Sequence, residues 1–407
     1  MENMKKTVLS NGLTILSEHI PTSKSVTLSL FVGAGSYHER QYPAGVAHFL
    51  EHMFFKGTTN RNAQQINEEI DGIGGVLNAY TTSERTKYYT LVPYRHWKTG
   101  SNVLLDMIWN ATFPEEEIER ERNVILEEIK MYEDDPSSFV FDLLERKMQI
   151  NQAERQSVIG TVESVKSITR ETLVSFVDEF YQPNNLIFVA TGNIDHDELV
   201  SYVESIPATR TKKSVPSLVF EKSTFEEQHL TYTRDLQQAH LAWGSFGPSV
   251  YEEDTTVMKV IANLLGGSLS SRLYRIIREE RGLAYSVSLD YSSKSDSGIL
   301  YGYVGTEKEK IDEIKQIVLD EFEKLKTELV PQDELQRAIN YTSGLFMLGL
   351  ENHSSLNEFY GVHALLETNK TPDNFIEQIE RVTAEDILTV ANRYFSKENF
   401  LFVDIHS

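Results

Sequence analysis

Cysteine is absent from the 407-residue sequence. The chain therefore cannot form disulfide bonds or thiolate metal sites, and any metal that it binds must have nitrogen and oxygen ligands. The sequence also lacks a run of 18 apolar residues, so we expect no membrane-spanning segment. The first residues, Met1 to Lys6, have neither a secretory apolar segment nor an Arg-rich transit helix. We therefore expect a cytoplasmic protein without a membrane partner.

Positive charge is scarce as well. The chain has 39 Lys and Arg residues against 61 Asp and Glu residues, which gives a net charge of -22. This excess argues against nucleic acid and anionic membranes as partners. Hydrophobic residues at 40% and charged residues at 25% are ordinary globular values. The chain is longer than most domains that fold around a single hydrophobic core, so we expect two domains.

The two halves of the sequence follow a parallel pattern. Each opens with a strand-like run ending in glycine and closes with a helix, a polar turn and an apolar strand. Gly33 corresponds to Gly247 and Val189 to Val403 at one offset of 214 residues (247 − 33 and 403 − 189). This pattern predicts an α+β fold in which two homologous α/β sandwich domains arose by internal duplication. The alternative is that strands and helices simply recur in any large protein.

The predicted boundaries follow from the composition between the halves. Residues 206–225 contain Pro207, Pro216 and the basic cluster 210–213, which is typical of an exposed linker. We therefore predict an N-terminal domain at 1–205, a linker at 206–225 and a homologous C-terminal domain at 226–407.

The segment His48-Phe49-Leu50-Glu51-His52 is the clearest chemical signal. An α-helix turns about 100° per residue, so His48 and His52 lie one turn apart on one face and can share one Zn²⁺. Glu51 lies on the same side, where it can reach a water without binding the metal. Phe49 and Leu50 point toward a core. The alternative is two surface histidines beside an unrelated carboxylate.

A third ligand is needed, because a catalytic zinc site has three protein ligands and leaves one position to water. The acidic segment 113–132 predicts a helix that begins at Pro114 and ends near Asp135. One stripe of this helix, which includes Glu127, is entirely polar and should face solvent. The opposite stripe is apolar apart from two carboxylates, and it consists of Glu121, Val124, Ile125, Glu128 and Tyr132.

The two carboxylates of the inward stripe need partners, because a buried charge is costly unless it is paired. We predict Glu128 as the third zinc ligand and Glu121 as an acid that supports the site. The alternative is an ordinary acidic helix face without a metal.

The motif order, His-x-x-Glu-His, is that of the inverzincins. Further motifs in both halves agree with it: Gly33 to Ser36, His48 to Thr58, Gly74 to Thr81, Glu121 to Glu128, Ser271 to Tyr274, Arg278, and Gly282 to Tyr285. On these residues the chain resembles the insulinase/pitrilysin family of zinc metallopeptidases. Within that family it is similar to the shorter group that includes mitochondrial processing peptidases and bacterial processing-protease homologues. The match covers essentially the whole chain.

The resemblance implies a role for each matching residue. His48, His52 and Glu128 would bind one Zn²⁺ per chain, while Glu51 would act as general base and Glu121 as supporting acid. The function implied is that of a zinc metalloendopeptidase.

Two further pairs of residues match elements that the family uses to bind substrate. Arg278 and Tyr285 match an Arg-x₆-Tyr pair near the scissile carbonyl; taken alone, they would be read as a surface arginine and a core tyrosine. Asn78 and Ala79 match an edge strand that pairs with extended peptide substrate. A peptide that pairs with a strand in this way is bound through its main-chain hydrogen bonds rather than through particular side chains.

Family members form a clamshell from four domains, and this chain would supply two. The resemblance implies that 1–205 is the catalytic zinc-binding domain and that 226–407 binds substrate and completes the dimer. The resemblance therefore implies a homodimer that encloses unfolded peptides or precursor segments, with Arg278 and Tyr285 acting at the partner's site. The alternatives are a non-catalytic scaffold subunit and a peptide-binding module without turnover. Processing of one dedicated precursor and general peptide clearance both stay open.

Overall fold

The computed structural model describes residues 4–148, 157–218, 228–368 and 370–407. The eleven strands in these residues are β1 Met4–Val8, β2 Thr14–His19, β3 Ser25–Val32, β4 Val76–Thr81, β5 Thr86–Pro93, β6 Leu186–Gly192, β7 His229–Thr233, β8 Ala239–Gly247, β9 Ala284–Ser293, β10 Gly298–Thr306 and β11 Phe400–His406.

The fourteen α-helices in the same residues are α1 Val46–Met53, α2 Ala63–Asp71, α3 Trp97–Asn110, α4 Glu115–Asp134, α5 Pro136–Met148, α6 Val162–Ser167, α7 Arg170–Phe180, α8 His196–Ser205, α9 Asp254–Ala262, α10 Ile311–Thr327, α11 Gln332–Leu350, α12 His353–Leu365, α13 Pro372–Glu380 and α14 Ala384–Tyr394. Two π-helical segments, Asn263–Gly267 and Tyr274–Glu280, lie between α9 and β9.

The chain forms two compact units that are not contiguous in sequence. The first unit comprises residues 1–130, 156–219 and 349–371, and the second comprises residues 131–155, 220–348 and 372–407. The sequence-based division at 205 and 226 differs from these units by two segments, which contain α5 and α12. The predicted linker is irregular from 206 to 218, and its remaining residues, 219–225, lie outside the described residues.

The first unit contains a six-stranded sheet in the order β1-β2-β6-β3-β5-β4. Strands β2 and β6 are parallel, and the other neighbours are antiparallel. Because side chains alternate between the faces of a strand, β3 contributes to two cores. Leu28 and Leu30 pack under α1 and α3 in the main core, while Phe31 packs against Leu356 and Tyr360 on the other face.

The second unit repeats this arrangement with five strands in the order β7-β11-β8-β10-β9. Its strands β7 and β11 are parallel, whereas β8 is antiparallel to both β11 and β10. The strands β7, β11, β8, β10 and β9 therefore have the order and directions of β2, β6, β3, β5 and β4. The α+β fold with two sheets confirms the predicted fold class and agrees with duplication.

One helix of each unit comes from the opposite half of the chain. Helix α12 packs on β3 and β6 of the first sheet, and α5 packs on β8 and β11 of the second. The side chains of Asn357 and Thr191 strengthen the first of these contacts. Asn357 donates to the carbonyls of Thr27 and Val189, and Thr191 donates to the carbonyl of His353. The two halves are thus interleaved rather than consecutive.

Among the residues that the structure describes, no helix combines the length and apolar character needed to cross a membrane.

Candidate metal centre

Helix α1 places the two histidines and Glu51 between a core and an open surface. Phe49 and Leu50 are fully buried, as the motif predicts, whereas Glu51 and His52 are half-buried. The helix follows its N-cap Gly45, which has a left-handed backbone (φ +87°). This position has no room for a side chain, because a Cβ there would lie 2.7 Å from the Ile159 carbonyl oxygen.

A buried carboxylate that the motifs did not reveal holds the start of α1. Glu39 accepts hydrogen bonds of 2.9 Å from the backbone N–H groups of both Gly45 and Ala47. Burial raises the pKa of Glu39 to about 8, and these two hydrogen bonds from otherwise free donors at the helix N-terminus oppose the rise. Since Ala47 precedes His48, Glu39 fixes the backbone next to a predicted metal ligand.

Helix α4 supplies the remaining carboxylates and begins and ends where the sequence predicts. Glu121 is buried, Glu128 is half-buried, and Glu127 faces solvent as expected. The predicted inward stripe is wrong at Val124 and Tyr132, which are 49% and 47% exposed. The buried apolar positions of α4 are instead Ile118, Ile125 and Ile129, which shifts the core-facing stripe around the helix.

The structure brings His48, His52 and Glu128 together. The Glu128 Oε2 atom lies 3.7 Å from His48 Nε2 and 3.6 Å from His52 Nε2. Tetrahedral zinc with ligand bonds of about 2.0–2.2 Å separates its ligand atoms by about 3.4 Å. Among the described residues, these three form the one group of three or more metal-binding side chains whose ligand atoms all lie within 4.8 Å of one another. The donor set and its spacing therefore fit Zn²⁺.

The environment keeps His48 available as a ligand. Burial, together with the neighbouring His52, lowers the pKa of His48 to about 3, so its imidazole is neutral at physiological pH. A neutral imidazole is the form that binds a metal. Burial also raises the pKa of Glu128, because its negative charge is poorly solvated there. A bound cation would stabilise the ionised carboxylate.

Glu121 orients the second histidine. The His52 Nδ1–H group donates to Glu121 Oε2 over 3.0 Å, which leaves Nε2 facing Glu128. Glu121 also pairs with Lys56, with a distance of 2.6 Å between Nζ and Oε1. Burial opposes ionisation of Glu121, but the hydrogen bonds from His52 and Lys56 outweigh it and lower its pKa. A carboxylate that fixes the ring of a metal-binding histidine is a common partner in zinc sites.

Glu51 has a partner that sequence reasoning did not identify. Thr81, the last residue of β4, donates its hydroxyl to Glu51 Oε2 over 2.6 Å. Burial raises the pKa of Glu51, while this hydrogen bond opposes the change. Thr81 thus holds the carboxylate in one orientation beside the two histidines.

Strand β4 forms the open edge of the sheet next to α1. The predicted substrate-binding residues Asn78 and Ala79 lie in its middle, and Asn78 is exposed. The Ala79 N–H donates to the Asn78 side-chain oxygen over 2.8 Å. An unpaired strand edge is a template for a further strand.

Comparison with known proteins shows which family these features characterise. The family described as "Insulinase (Peptidase family M16)" matches residues 14–162, and the family described as "Peptidase M16 inactive domain" matches residues 167–342. An uncharacterized zinc protease of Bacillus subtilis is 36% identical over 97% of this chain and 96% of its own length. The chain belongs to the M16 peptidase family. An uncharacterized zinc protease of Rickettsia felis is a further M16 relative, at 35% identity over 97% of this chain and 96% of its own.

Solved structures agree on the M16 fold. The crystal structure of a protease from Helicobacter pylori superimposes with a TM-score of 0.93, at 20% identity and with 99% of both chains covered. The matched "inactive domain" falls largely in the second unit, while His48, His52 and Glu128 belong to the first. The three side chains also fall within residues 14–162, the part of the chain that matches the insulinase family description.

Arg278 and Tyr285, the pair suggested by the M16 resemblance, lie together in the second unit. The Arg278 guanidinium is 4.5 Å from the centre of the Tyr285 ring. Tyr285 is 79% exposed at the start of the edge strand β9, so it is not the core tyrosine of the alternative interpretation. Arg278 belongs to the π-helical segment Tyr274–Glu280.

Proposed function

We propose that this M16 protein is a zinc-dependent endopeptidase that hydrolyses peptide bonds in extended, unfolded peptides. The observation that carries the proposal is the arrangement around Glu51. Its carboxylate is held by Thr81 beside three convergent metal-binding side chains, next to an open strand edge. A site that only binds a metal would need no oriented carboxylate there.

The reaction follows from the chemistry of these groups. When Zn²⁺ is bound, it supplies a Lewis acid that lowers the pKa of water and polarises a carbonyl group. Glu51 accepts the proton of the attacking water and then donates it to the leaving amine. Its raised pKa makes the Glu51 carboxylate a stronger base for the first of these steps. Thr81 keeps one oxygen of Glu51 occupied and directs the other toward the reaction.

The open edge of β4 supports extended peptides as the substrate class. A substrate strand beside Asn78 and Ala79 would pair through its main chain, so many sequences would fit. A folded protein has few free strands of this kind. The same site would serve either a dedicated precursor segment or general peptide clearance in the cytoplasm.

We further propose a homodimer in which Arg278 and Tyr285 of one chain act at the metal centre of the other. The exposed Tyr285 hydroxyl could then donate a hydrogen bond to the carbonyl oxygen under attack. The proximity of the two side chains within the second unit supports their acting as a pair.

The substitution Glu51→Gln tests the proposed activity. The variant should retain one zinc per chain, because Glu51 is not in the ligand set, and should lose at least about 100-fold in peptide hydrolysis. The measurement combines zinc analysis with mass spectrometry of products from a mixed peptide library, with and without a chelator.

Glu127→Gln is the matched control, since Glu127 lies on the solvent face of α4 and should leave hydrolysis unchanged. Hydrolysis at the wild-type rate by the zinc-loaded Glu51→Gln variant would contradict the proposal. A wild-type protein that binds zinc but cleaves no library peptide would favour a scaffold or peptide-binding role instead.

A further inference from the structure

A partly buried ion cluster joins helix α12 to strands β4 and β5 on the face of the first sheet opposite α1. Its centre is Glu358, which pairs with Lys87 over 2.8 Å and with Arg85 over 3.3 Å. The Tyr80 hydroxyl also donates to Glu358. Glu358 belongs to the C-terminal half of the sequence, whereas its three partners lie on or between β4 and β5 in the N-terminal half.

Glu358 balances Lys87, which has little access to water, and Arg85, which Glu84 also stabilises. The Lys87 side chain is only 4% exposed, and its Nζ atom lies 4.9 Å and 5.0 Å from the ring centres of Phe31 and Tyr89. Burial alone would raise the pKa of Glu358, but Lys87, Tyr80 and Arg85 together hold it below the usual value. Loss of such a carboxylate leaves buried positive charge without a partner, which is strongly destabilising.

The residue of β4 that contacts Glu358 is adjacent in sequence to the residue that contacts Glu51. Tyr80 and Thr81 are consecutive in β4, so their side chains point to opposite faces of the sheet. Tyr80 reaches Glu358 on the α12 face, and Thr81 reaches Glu51 on the α1 face. Among the described strands, β4 has a neighbour on one side only, so these two contacts supplement one ladder of backbone hydrogen bonds.

We propose that Glu358 is a positioning residue for the peptide site: through Tyr80 it fixes the end of β4 and thereby keeps Thr81 in place against Glu51. Its effect on catalysis rests on the proposed peptidase function, whereas its effect on β4 does not. A helix contributed by the C-terminal half thus determines how rigidly the N-terminal half presents its substrate-binding edge. Glu358 itself touches neither metal ligand nor base, so it acts on the site through the strand.

The sharpest test compares two tyrosines that each donate a hydroxyl to a glutamate across the same helix–sheet interface. Tyr80→Phe removes the contact between β4 and Glu358. Tyr360→Phe removes the contact between α12 and Glu18 on the distant strand β2. Both substitutions remove one oxygen and preserve the ring, so Tyr360→Phe is the control for a general loss of stability.

Two measurements separate positioning from function. The first is amide hydrogen exchange of the segment 76–81, which needs no turnover. Tyr80→Phe should raise its exchange rate about three- to tenfold, the range expected for one lost hydrogen bond, while Tyr360→Phe leaves it within twofold. The second is peptide cleavage, where kcat/KM should fall about three- to tenfold in Tyr80→Phe with zinc content unchanged.

Glu358→Gln is a second variant, which removes the charge of Glu358 and leaves Tyr80 unchanged. The amide can still accept a hydrogen bond from Tyr80, but it no longer balances Lys87 and Arg85. Exchange of segment 76–81 should therefore rise at least as much as in Tyr80→Phe. If this variant does not fold, the Tyr80→Phe and Tyr360→Phe pair still decides the question.

Equal exchange of segment 76–81 in the two tyrosine variants overturns the proposal. Faster exchange in Tyr80→Phe with unchanged peptide cleavage would show that Glu358 positions β4 but does not affect catalysis. If the wild-type protein cleaves no peptide, the peptidase function fails, and the exchange comparison still shows whether Glu358 positions the strand.

Discussion

At the scale of single residues, the pairing of Glu121 with both His52 and Lys56 has the clearest consequences. Glu121 is 6% exposed and remains ionised because two donors hold its charge. It in turn fixes the ring of His52, whose other nitrogen faces Glu128. The order of contacts predicts that Glu121 matters for metal affinity although it lies outside the ligand set.

Glu121→Gln should weaken zinc binding about 10- to 100-fold, the usual effect of removing a partner of a metal-binding histidine. The amide cannot balance Lys56, and it accepts the His52 proton less strongly. Competition against a chromophoric chelator measures the affinity. Glu127→Gln on the opposite face of α4 should bind zinc as the wild type does, and equal affinities for the two variants would exclude this role of Glu121.

The lowered pKa of His48 predicts how the stability of the metal-free chain depends on pH. The folded value is about 3 and the ordinary value is 6.5. Below pH 6.5 the unfolded chain takes up a proton that folded His48 does not, so stability is complete above pH 6.5 and is lost as the pH falls toward 3. At pH 5 the loss due to His48 is about 2 kcal/mol.

Urea denaturation in the presence of a chelator, at pH 7.5 and pH 5, measures this effect. The variant His48→Gln lacks the titrating group, so its stability relative to the wild type should improve by about 2 kcal/mol between the two pH values. A constant difference between variant and wild type would show that His48 is not buried in its neutral form.

Residue spacing predicted most of the candidate site, but not the groups that support it. Motif and helical periodicity indicated His48, His52, Glu121 and Glu128, which the structure brings together. Thr81, Glu39 and Lys56 were missed as supporting groups, because their roles depend on side-chain contacts rather than on a repeating pattern. Val124 and Tyr132 were assigned to the core because they share a largely apolar stripe at helical spacing with Ile125, and both are exposed.

At the scale of elements, the contact of α12 with β3 depends on the absence of one side chain. A Cβ on Gly361 would lie 2.1 Å from the ring of Phe31, which is fully buried. The close approach of helix and sheet therefore requires glycine at this position, although glycine is unfavourable in a helix.

Gly361→Ala should lower the free energy of unfolding by about 1–3 kcal/mol, because the added methyl group forces the helix away from Phe31. Gly344→Ala in α11 is the matched control. A Cβ at Gly344 has nothing within 4 Å, so the higher helix propensity of alanine should stabilise the protein by about 0.5–1 kcal/mol. Thermal or urea unfolding of both variants measures the difference, and a stabilised Gly361→Ala protein would contradict the close contact.

The helices and strands named by the sequence correspond well to those observed, since they depend on local pattern. Helix α4 begins after Pro114 and ends before Pro136, and the matching strands β6 and β11 lie 214 residues apart as expected. The packing of α5 and α12 on the sheets of the opposite halves was not predicted. Both helices have an apolar face, but periodicity does not identify the surface that a face covers.

At the scale of the whole molecule, the proposed homodimer gives a test that single variants cannot. Chains carrying Glu51→Gln lack the base, and chains carrying Tyr285→Phe lack the hydroxyl. If Tyr285 acts at the partner's site, a mixed dimer has one site with both lesions and one with neither.

Mixing the two inactive variants in equal amounts should therefore restore about a quarter of wild-type activity, since half of the dimers are mixed and half of their sites are intact. Peptide cleavage is measured after chain exchange has been verified with differently tagged chains. Verified exchange without recovered activity would show that Tyr285 does not act across the dimer.

The interleaving of α5 and α12 also has a consequence for biosynthesis. The last strand of the first sheet ends at Gly192, but the helix that covers its second face begins at His353, which is 161 residues later (353 − 192). At roughly 5–20 residues per second, the ribosome needs about 8–32 s to deliver that helix. During this interval Phe31 and its neighbours have no cover from α12, so the nascent chain presents an apolar surface to chaperones before its first unit can close.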